Sequence, residues 1–330
     1  RTTLNQKMRV AVIGVGLYAS RYHIPQLIAN PNVELAALCG RTPESANKKA
    51  EQFGVPVAYT DYREMLDKTP LDALVVSTPH ALHYEQARAG LLHGLSVLMD
   101  KHLVLHMAGW RELKRLADER GLVLMPALNR HLDPAYLYTR QLIRSGELGE
   151  VYFARSLQVH YPTEGYYTKY AYAGGGPFTG RSSHMAAVIP WLTGWQPAEV
   201  QATATFSDEL EVELSGIINV RATGGQLFQI ATIKAGHGFV DEVEVIGTKG
   251  RVRIANTGSY MPWVPTRFGP NGEPMSVGEL PKGETTTDHF IAVIRGQEEN
   301  RLPATDGDPS VAIIEAAYDS VRTGQTIRLR

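Results

Sequence analysis

With 330 residues the chain is too long for one small domain and long enough for two substantial cores, so two domains are expected. Its 33 Lys and Arg against 34 Asp and Glu leave a formal net charge of −1 with no long run of one sign, which excludes the electrostatic footprint of a nucleic-acid or anionic-membrane binder. A single cysteine, Cys39, and the lack of any apolar run near the roughly eighteen residues of a membrane span exclude an internal disulfide and a transmembrane helix and suit the cytoplasm; nothing ahead of Met8 reads as a signal peptide, and a leader removed before Arg1 stays open.

The first predicted strand, residues 10–13, breaks into Gly14-Val15-Gly16-Leu17-Tyr18-Ala19 and then into a helical pattern. Gly14 permits a tight turn, Gly16 lets the backbone approach a pyrophosphate, and Ala19 is small enough for helix and strand to pack closely, with the helix N-terminus facing the anion. Glycine also marks ordinary strand-to-helix turns. Here a strand-like run precedes the motif and a second apolar run, residues 33–39, follows at the right distance, so a dinucleotide site is expected, with Leu17 and Tyr18 at its edge.

Further strands are predicted at residues 72–77, 96–99 and 122–125, separated by segments of helical period. This alternation predicts a parallel sheet with helices on both faces and a ligand at the carboxyl ends of its strands. After the second strand come Gly40-Arg41-Thr42-Pro43; an arginine in place of an acidic residue favours NADP over NAD, NAD remaining possible. Alternatively Arg41 is a solvated loop residue and Glu44 caps the next helix. After the third come Ser77-Thr78-Pro79-His80, with Pro79 fixing the turn and His83 in the first turn of the following helix, near the nicotinamide half. After the fourth come Asp100-Lys101-His102. A lysine at that strand end, beside a cationic nicotinamide, can have its pKa lowered enough to exchange a proton with a substrate hydroxyl. Residues 108–120 form an amphipathic helix stopped by Gly121. Asn129-Arg130-His131 then lead through Asp133, an N-cap, and Pro134 into a helix ending near Gly146 and Gly149, which places the domain crossing there: residues 1–128 bind the dinucleotide, residues 129–330 the substrate.

From Val151 the period changes to two. Tyr152, Ala154, Ser156, Gln158 and His160 share one face of the first strand, Val151, Phe153, Leu157 and Val159 the other. Strand-like alternation returns at residues 211–220, 227–234, 240–246 and 251–254. A large, mostly antiparallel sheet is expected, with one mixed-polarity face and the other covered by helices or a second subunit. Tyr166, Tyr167, Tyr170 and Tyr172 precede Gly174-Gly175-Gly176; they suit stacking on a sugar, or form a packed aromatic cluster. A short helix over residues 181–192 carries Arg181 and His184. Asp308 and Pro309 cap and open a helix through Val321, Gly324 stops it, and residues 326–329 form a last strand. No metal-ligand spacing, internal repeat or nucleophile signature is visible.

Together, Gly14-x-Gly16-x-x-Ala19, Thr78-Pro79-x-x-x-His83, Lys101 after the fourth strand, and Gly174-Gly175-Gly176 eight residues before His184 resemble the glucose-fructose oxidoreductase / inositol dehydrogenase family (Gfo/Idh/MocA) over residues 8–329. The resemblance implies a Rossmann domain followed by a domain on an open, mostly antiparallel sheet through which dimers or tetramers form, and NAD(P)-dependent chemistry on sugars, cyclitols and related alcohols. It implies that Lys101 touches the nicotinamide ribose and the reacting carbinol, and that His184 is the proton acceptor. Thr78, Pro79, His83, Asp100 and Asn129 fall on the cofactor side; Arg130, His160, Tyr166 and Arg181 on the substrate side. Two positions depart from the family pattern. His102 stands where the family has proline, and Gly180 and Ala187 stand where the His184 helix has aspartates, so Lys101 carries the proton transfer with His102 or Arg181 as a new partner, or the chemistry has changed. Hydride transfer with a sugar-like substrate is the first expectation. Glycoside cleavage through transient oxidation and elimination, and a dinucleotide-binding regulatory protein without turnover, are the alternatives.

Overall fold

The computed structural model describes residues 6–162, 164–234, 238–256, 258 and 261–329. Within them the chain forms two compact units, one from Arg1–Val104, Ala108–Ala127 and Glu284–Thr305, the other from Leu105–Met107, Leu128–Gly283 and Asp306–Arg330. Among the described residues no helix is long and apolar enough to cross a membrane.

The first unit is a Rossmann fold. Strands β1 (Met8–Ile13), β2 (Val33–Cys39), β3 (Val57–Tyr59), β4 (Ala73–Val76), β5 (Ser96–Met99) and β6 (Leu124–Pro126) make one parallel sheet in the order β3-β2-β1-β4-β5-β6. Val10, Val12, Leu38, Leu74 and Val97 are fully buried, which is why these strands read as continuous apolar runs: helices cover both faces. Strand β3 escapes a periodicity reading because it has three residues at the sheet edge, half of it open to solvent. The helix Pro43–Phe53 is capped by the Thr42 hydroxyl in a reciprocal capping box with Ser45, so Thr42 takes the role expected of Glu44.

A single cut after residue 128 leaves out a returning segment. The helix Thr286–Ile294 buries Phe290 and Ile291 in the first unit, and its start is tied there by Thr287 to His23 (2.9 Å) and by Asn30 donating to Asp288 (2.8 Å). These partners lie more than 250 residues apart in sequence, so no local pattern announces them.

The second unit is built on nine strands: β7 (Val151–Val159), β8 (Pro197–Thr205), β9 (Ser215–Ala222), β10 (Leu227–Ile233), β11 (Val240–Gly247), β12 (Gly250–Asn256), β13 (Val264–Phe268), β14 (Pro274–Met275) and β15 (Ile327–Arg328). Their order is β14-β13-β12-β11-β7-β10-β9-β8-β15, antiparallel throughout except between β7 and β10. The helices Pro134–Arg144, Ser183–Thr193 and Asp308–Thr323 supply Tyr136, Met185, Ile189, Ile313 and Ile314 to a core shared with Val200, Ile218, Phe228 and Val243. Helices cover the mixed-polarity face: Ala154, Ser156, Gln158 and His160 are buried, although Tyr152 at its start is exposed, while Phe153, Leu157 and Val159 on the other face are only half-buried. In that row the Gln158 amide donates to Asp241 (3.4 Å) and accepts the Thr232 hydroxyl (3.5 Å).

Three further expectations are corrected. The strand expected from residue 211 begins at Ser215, because Glu213 leaves the sheet pattern to accept the N–H groups of Gly176 (3.0 Å) and Phe178 (2.9 Å) and the Tyr318 hydroxyl (2.8 Å). The helix carrying His184 accordingly starts earlier than residue 181, as a π turn over Phe178–Ser182 that runs into Ser183–Thr193. Asp308 is the first helical residue rather than the cap, which is Gly307 without a side-chain bond. Gly174 (φ 68°) and Gly175 (φ 144°) adopt backbone conformations that L side chains rarely take, and a Cβ on Gly176 would lie 2.5 Å from the Glu213 carbonyl, so the triple glycine lets the chain fold back onto Glu213.

Glu213→Ala leaves two buried backbone donors unmet and takes one of two partners from the Tyr318 hydroxyl, and should lower unfolding stability by about 2–4 kcal/mol. Denaturant titration measures it; a loss below about 0.5 kcal/mol would show that the carboxylate does not hold this junction.

Candidate functional site

In the first unit the loops after β1, β2, β4 and β5 leave the same end of the parallel sheet. Gly14 has φ of +98°, and a Cβ there would lie 2.1 Å from the Ser77 carbonyl oxygen; only glycine fits. A Cβ on Gly16 would meet nothing within 4 Å, so the backbone is open just where the helix begins at Leu17. Leu17 is 73% exposed and Tyr18 40%, whereas Ala19 is fully buried. The helix opens into a π turn over Ala19–His23, in which the Ile24 N–H reaches the Ala19 carbonyl; Pro25, next in line, has no N–H with which to keep the tighter register. Open backbone at a helix start is the surface a pyrophosphate needs, and these residues fit a dinucleotide.

Arg41 is exposed after β2, and the Thr42 hydroxyl is used as the cap described above. Thr78 bonds Gln86 (2.6 Å) through its hydroxyl and faces His83 Nε2 (2.8 Å) through its carbonyl, while His83 Nδ1 faces the carbonyls of His102 (2.8 Å) and Leu103 (3.2 Å). His83 is fully buried. It joins the loop after β4, where Pro79 precedes the turn His80–Leu82, to the loop after β5. Burial pushes its imidazole pKa down, against the pull of Asp100 and the three carbonyls.

Asp100 is the centre of this end. One carboxylate oxygen lies 2.7 Å from His23 Nε2 and the other accepts the Ser77 hydroxyl, while His23 Nδ1 bonds Thr287. Burial pushes the Asp100 carboxyl up, but the His23 charge and the two hydrogen bonds outweigh it and hold the group below the usual carboxylate range. Lys101, half-buried, follows directly, and the Lys101–His102 peptide bond is cis. His102, where the family has proline, is fully buried.

In the second unit the covered face of the sheet turns polar toward one end. Gln158 stands opposite both Thr232 and Asp241 in register, and the Thr232 hydroxyl lies 2.6 Å from that of Ser182. Arg130 grips Asp241 with both guanidinium nitrogens (3.0 and 2.7 Å) and the Tyr136 hydroxyl (2.9 Å), 5.0 Å from the Trp263 ring centre. It is 3% exposed, so Arg130, expected to orient a sugar, is committed to Asp241. Burial pushes the Asp241 carboxyl up, and Arg130 brings it below its ordinary range. One residue beyond β7, the buried His160 ring packs edge-on against Phe239 at 4.5 Å. Tyr166 is exposed and stacks on Tyr167 at 4.1 Å.

Arg181 and His184 are half-buried on the π turn and the helix that follows it, and a Cβ at Gly180 would meet nothing within 4 Å. Asn129 belongs to this unit, with its side-chain oxygen buried and unbonded among the described residues. Its neighbour His131 is buried against Trp191 at 4.4 Å, and burial, reinforced by Arg140 and Arg130, pushes its pKa down to about 3, which removes it as a proton acceptor. One functional candidate escapes sequence reading: Lys234, the residue after β10, half-buried with its ammonium 5.1 Å from the Tyr167 ring centre. Its signal was its place two residues beyond Thr232 on the polar face.

Glu284, His289 and Glu298 bring three ligand atoms within 4.8 Å of one another. The Arg301 N–H donates to His289 Nε2 (3.0 Å), which leaves Nδ1 as the donor to Glu298, and the Arg301 guanidinium touches both carboxylates. Arginine supplies the positive charge there.

A model of an oxidoreductase family with an NAD-binding Rossmann fold, GFO_IDH_MocA, matches residues 8–128, and a GFO/IDH/MocA C-terminal domain matches residues 136–253. The chain is similar to the dTDP-3,4-didehydro-2,6-dideoxy-alpha-D-glucose 3-reductase of Streptomyces antibioticus, 28% identical over 252 residues and 75% of each chain. It is similar to the inositol 2-dehydrogenase of Rhizobium meliloti (strain 1021), 24% identical over 98% of this chain and 99% of that one. Among solved structures, GenD2 from gentamicin A biosynthesis in complex with NAD is 25% identical with a TM-score of 0.83, over 100% of this chain and 98% of that one. The Gly14–Gly16 turn, the lysine after β5 and the open nine-stranded sheet thus agree with both domain matches, and the chain belongs to the GFO/IDH/MocA family of NAD-binding oxidoreductases.

Proposed function

We propose that this oxidoreductase interconverts a hydroxyl and a ketone on a sugar, cyclitol or related polyol, with NADP as its preferred cofactor. The observation that carries the reading is Lys101 at the carboxyl end of β5, next to a buried carboxylate anchored on two sides. Bound NAD(P) supplies the hydride acceptor or donor. Gly14, Gly16 and the backbone at Leu17 and Tyr18 hold its pyrophosphate, Thr78 and Pro79 border it, and Arg41 faces a 2′-phosphate.

Lys101 holds the proton at the substrate hydroxyl oxygen, taking it on oxidation and returning it on reduction. Asp100 fixes the start of that turn through His23 and Ser77 and so acts on Lys101 by position. His184 is the second proton acceptor. Positions 180 and 187 carry Gly and Ala, so no carboxylate from either orients its ring, and more of the proton work falls to Lys101. His160, Tyr166 and Arg181 contact the substrate, and Asn129 offers its buried oxygen to the cofactor. Arg130 sets the polar end of the sheet through Asp241 rather than touching the sugar.

A homodimer or homotetramer through the open sheet face is the assembly supported by that face: Ile217, Leu227 and Ile233 are exposed on it beside a hydrogen-bonded row of Gln201, Asn219 and Gln229. The one cysteine, free and buried, accords with the cytoplasm.

Lys101→Ala should lower kcat/KM for a polyol substrate at least about a hundredfold while the dinucleotide dissociation constant stays within about threefold. Full activity removes Lys101 from the mechanism, and aglycone release from a glycoside without net change in nicotinamide absorbance assigns the eliminative reaction instead. NADPH should bind at least about tenfold tighter than NADH, and Arg41→Ala should close that gap; equal binding of the two by the unaltered protein makes Arg41 a bystander.

A further inference from the structure

The polar end of the nine-stranded sheet gathers positive charge. Strands β7 and β10 run parallel and end side by side, where the His160 N–H donates to the Ile233 carbonyl (2.8 Å) and sets Lys234 beside His160. The π turn bearing Arg181 is fastened to the same strand end by the Ser182–Thr232 hydroxyl pair. Asp241, the carboxylate buried at that end, has both oxygens on Arg130. The carboxylate acting on Lys234 is Glu164, which is exposed.

Lys234 responds to this surrounding: burial first and the Arg181 charge second push its ammonium pKa down to about 8, and Glu164 does not offset them. An ammonium on a half-buried strand end, 5.1 Å from the Tyr167 ring centre and subject to the Arg181 charge, is poised for a ligand that brings negative charge. The guanidinium offers a planar fork and the ammonium a point charge, a combination suited to the oxygens of a carboxylate or phosphate. The Tyr166–Tyr167 pair gives an apolar wall for the carbon skeleton.

We propose that Lys234 and Arg181 form a subsite for an anionic group, a carboxylate or a phosphate carried by the sugar, so that the substrate is an acidic rather than a neutral sugar. This inference rests on the sugar-dehydrogenase reading given above. His160, one strand over, completes the rim, and Arg130 with Asp241 holds the floor without spending its charge on the ligand.

The test is binding of matched sugars to the purified full chain saturated with oxidised dinucleotide: a panel of hexuronates and hexose phosphates against the parent hexoses, followed by calorimetry. At least one acidic class should bind about tenfold or more tightly than its neutral parents. That ratio should collapse in Lys234→Met and persist in Lys234→Arg, with thermal melts confirming that both variants fold. Preference for hexuronates alone assigns a carboxylate, and preference for the phosphates alone assigns a phosphoryl group. Equal or absent binding of acidic and neutral sugars, or a preference untouched by Lys234→Met, overturns the proposal. Turnover separates the two readings: selective binding of acidic sugars with no nicotinamide reduction by any sugar keeps the subsite and removes the dehydrogenase, whereas reduction by neutral sugars alone does the reverse.

Discussion

A carboxylate buried at the end of β5 stays charged only if donors reach it, and that requirement organises the functional end of the first unit. Asp100 receives His23 from the first helix and Ser77 from the end of β4, and the returning helix holds the far side of His23 through Thr287. Three separate stretches are thus pinned around the residue that precedes Lys101. Because the folded-state pKa of Asp100 lies below that of a free carboxyl, its contribution to stability is present above about pH 4 and is lost as pH falls through the lower folded value.

The second unit solves a similar problem differently. Arg130 and Asp241 are both about 3% exposed and meet in a bidentate pair. Removing either partner of such a pair strands the other charge, typically at a cost of about 3–5 kcal/mol, so Arg130 is bound to the fold and not available to a ligand. Lys234 stands at the same sheet end with its ammonium 5.1 Å from the Tyr167 ring centre and no carboxylate in hydrogen-bond contact among the described residues. The contrast between a saturated cation and a neighbouring one under aromatic rings is what separates framework from binding surface here.

Much of the first unit was legible because its strands are buried on both faces: residues 33–39 and 96–99 read as continuous apolar runs and are strands over just those spans. What stayed hidden depends on partners distant in sequence or on weak local signal. Strand β8 is mostly small and polar, β3 and β14 are too short for a period, and the helix at Thr286–Ile294 belongs to the first unit through contacts with His23 and Asn30. For the sites, sequence order located Gly14, Gly16 and Lys101 because motifs place them at strand ends. It could not see that His83 would tie two loops together through backbone carbonyls, nor that Asp241 would absorb Arg130, since both outcomes are decided by pairing between separate stretches of chain. Glu213 sat inside a plausible alternating run, and only the glycine loop folding onto it reveals why it leaves the strand.

The central claim is that hydride passes between a nicotinamide and a carbinol carbon of a sugar-like substrate. The most direct measurement follows the hydrogen itself: NADPH carrying deuterium at the transferable C4 position is incubated with the protein and a panel of keto-sugars and cyclitol ketones, and the products are examined by mass spectrometry and NMR. The account predicts one deuterium on the carbon that bore the ketone, in stoichiometric amount with oxidised cofactor. Tight dinucleotide binding with no label in any product across the panel would contradict it.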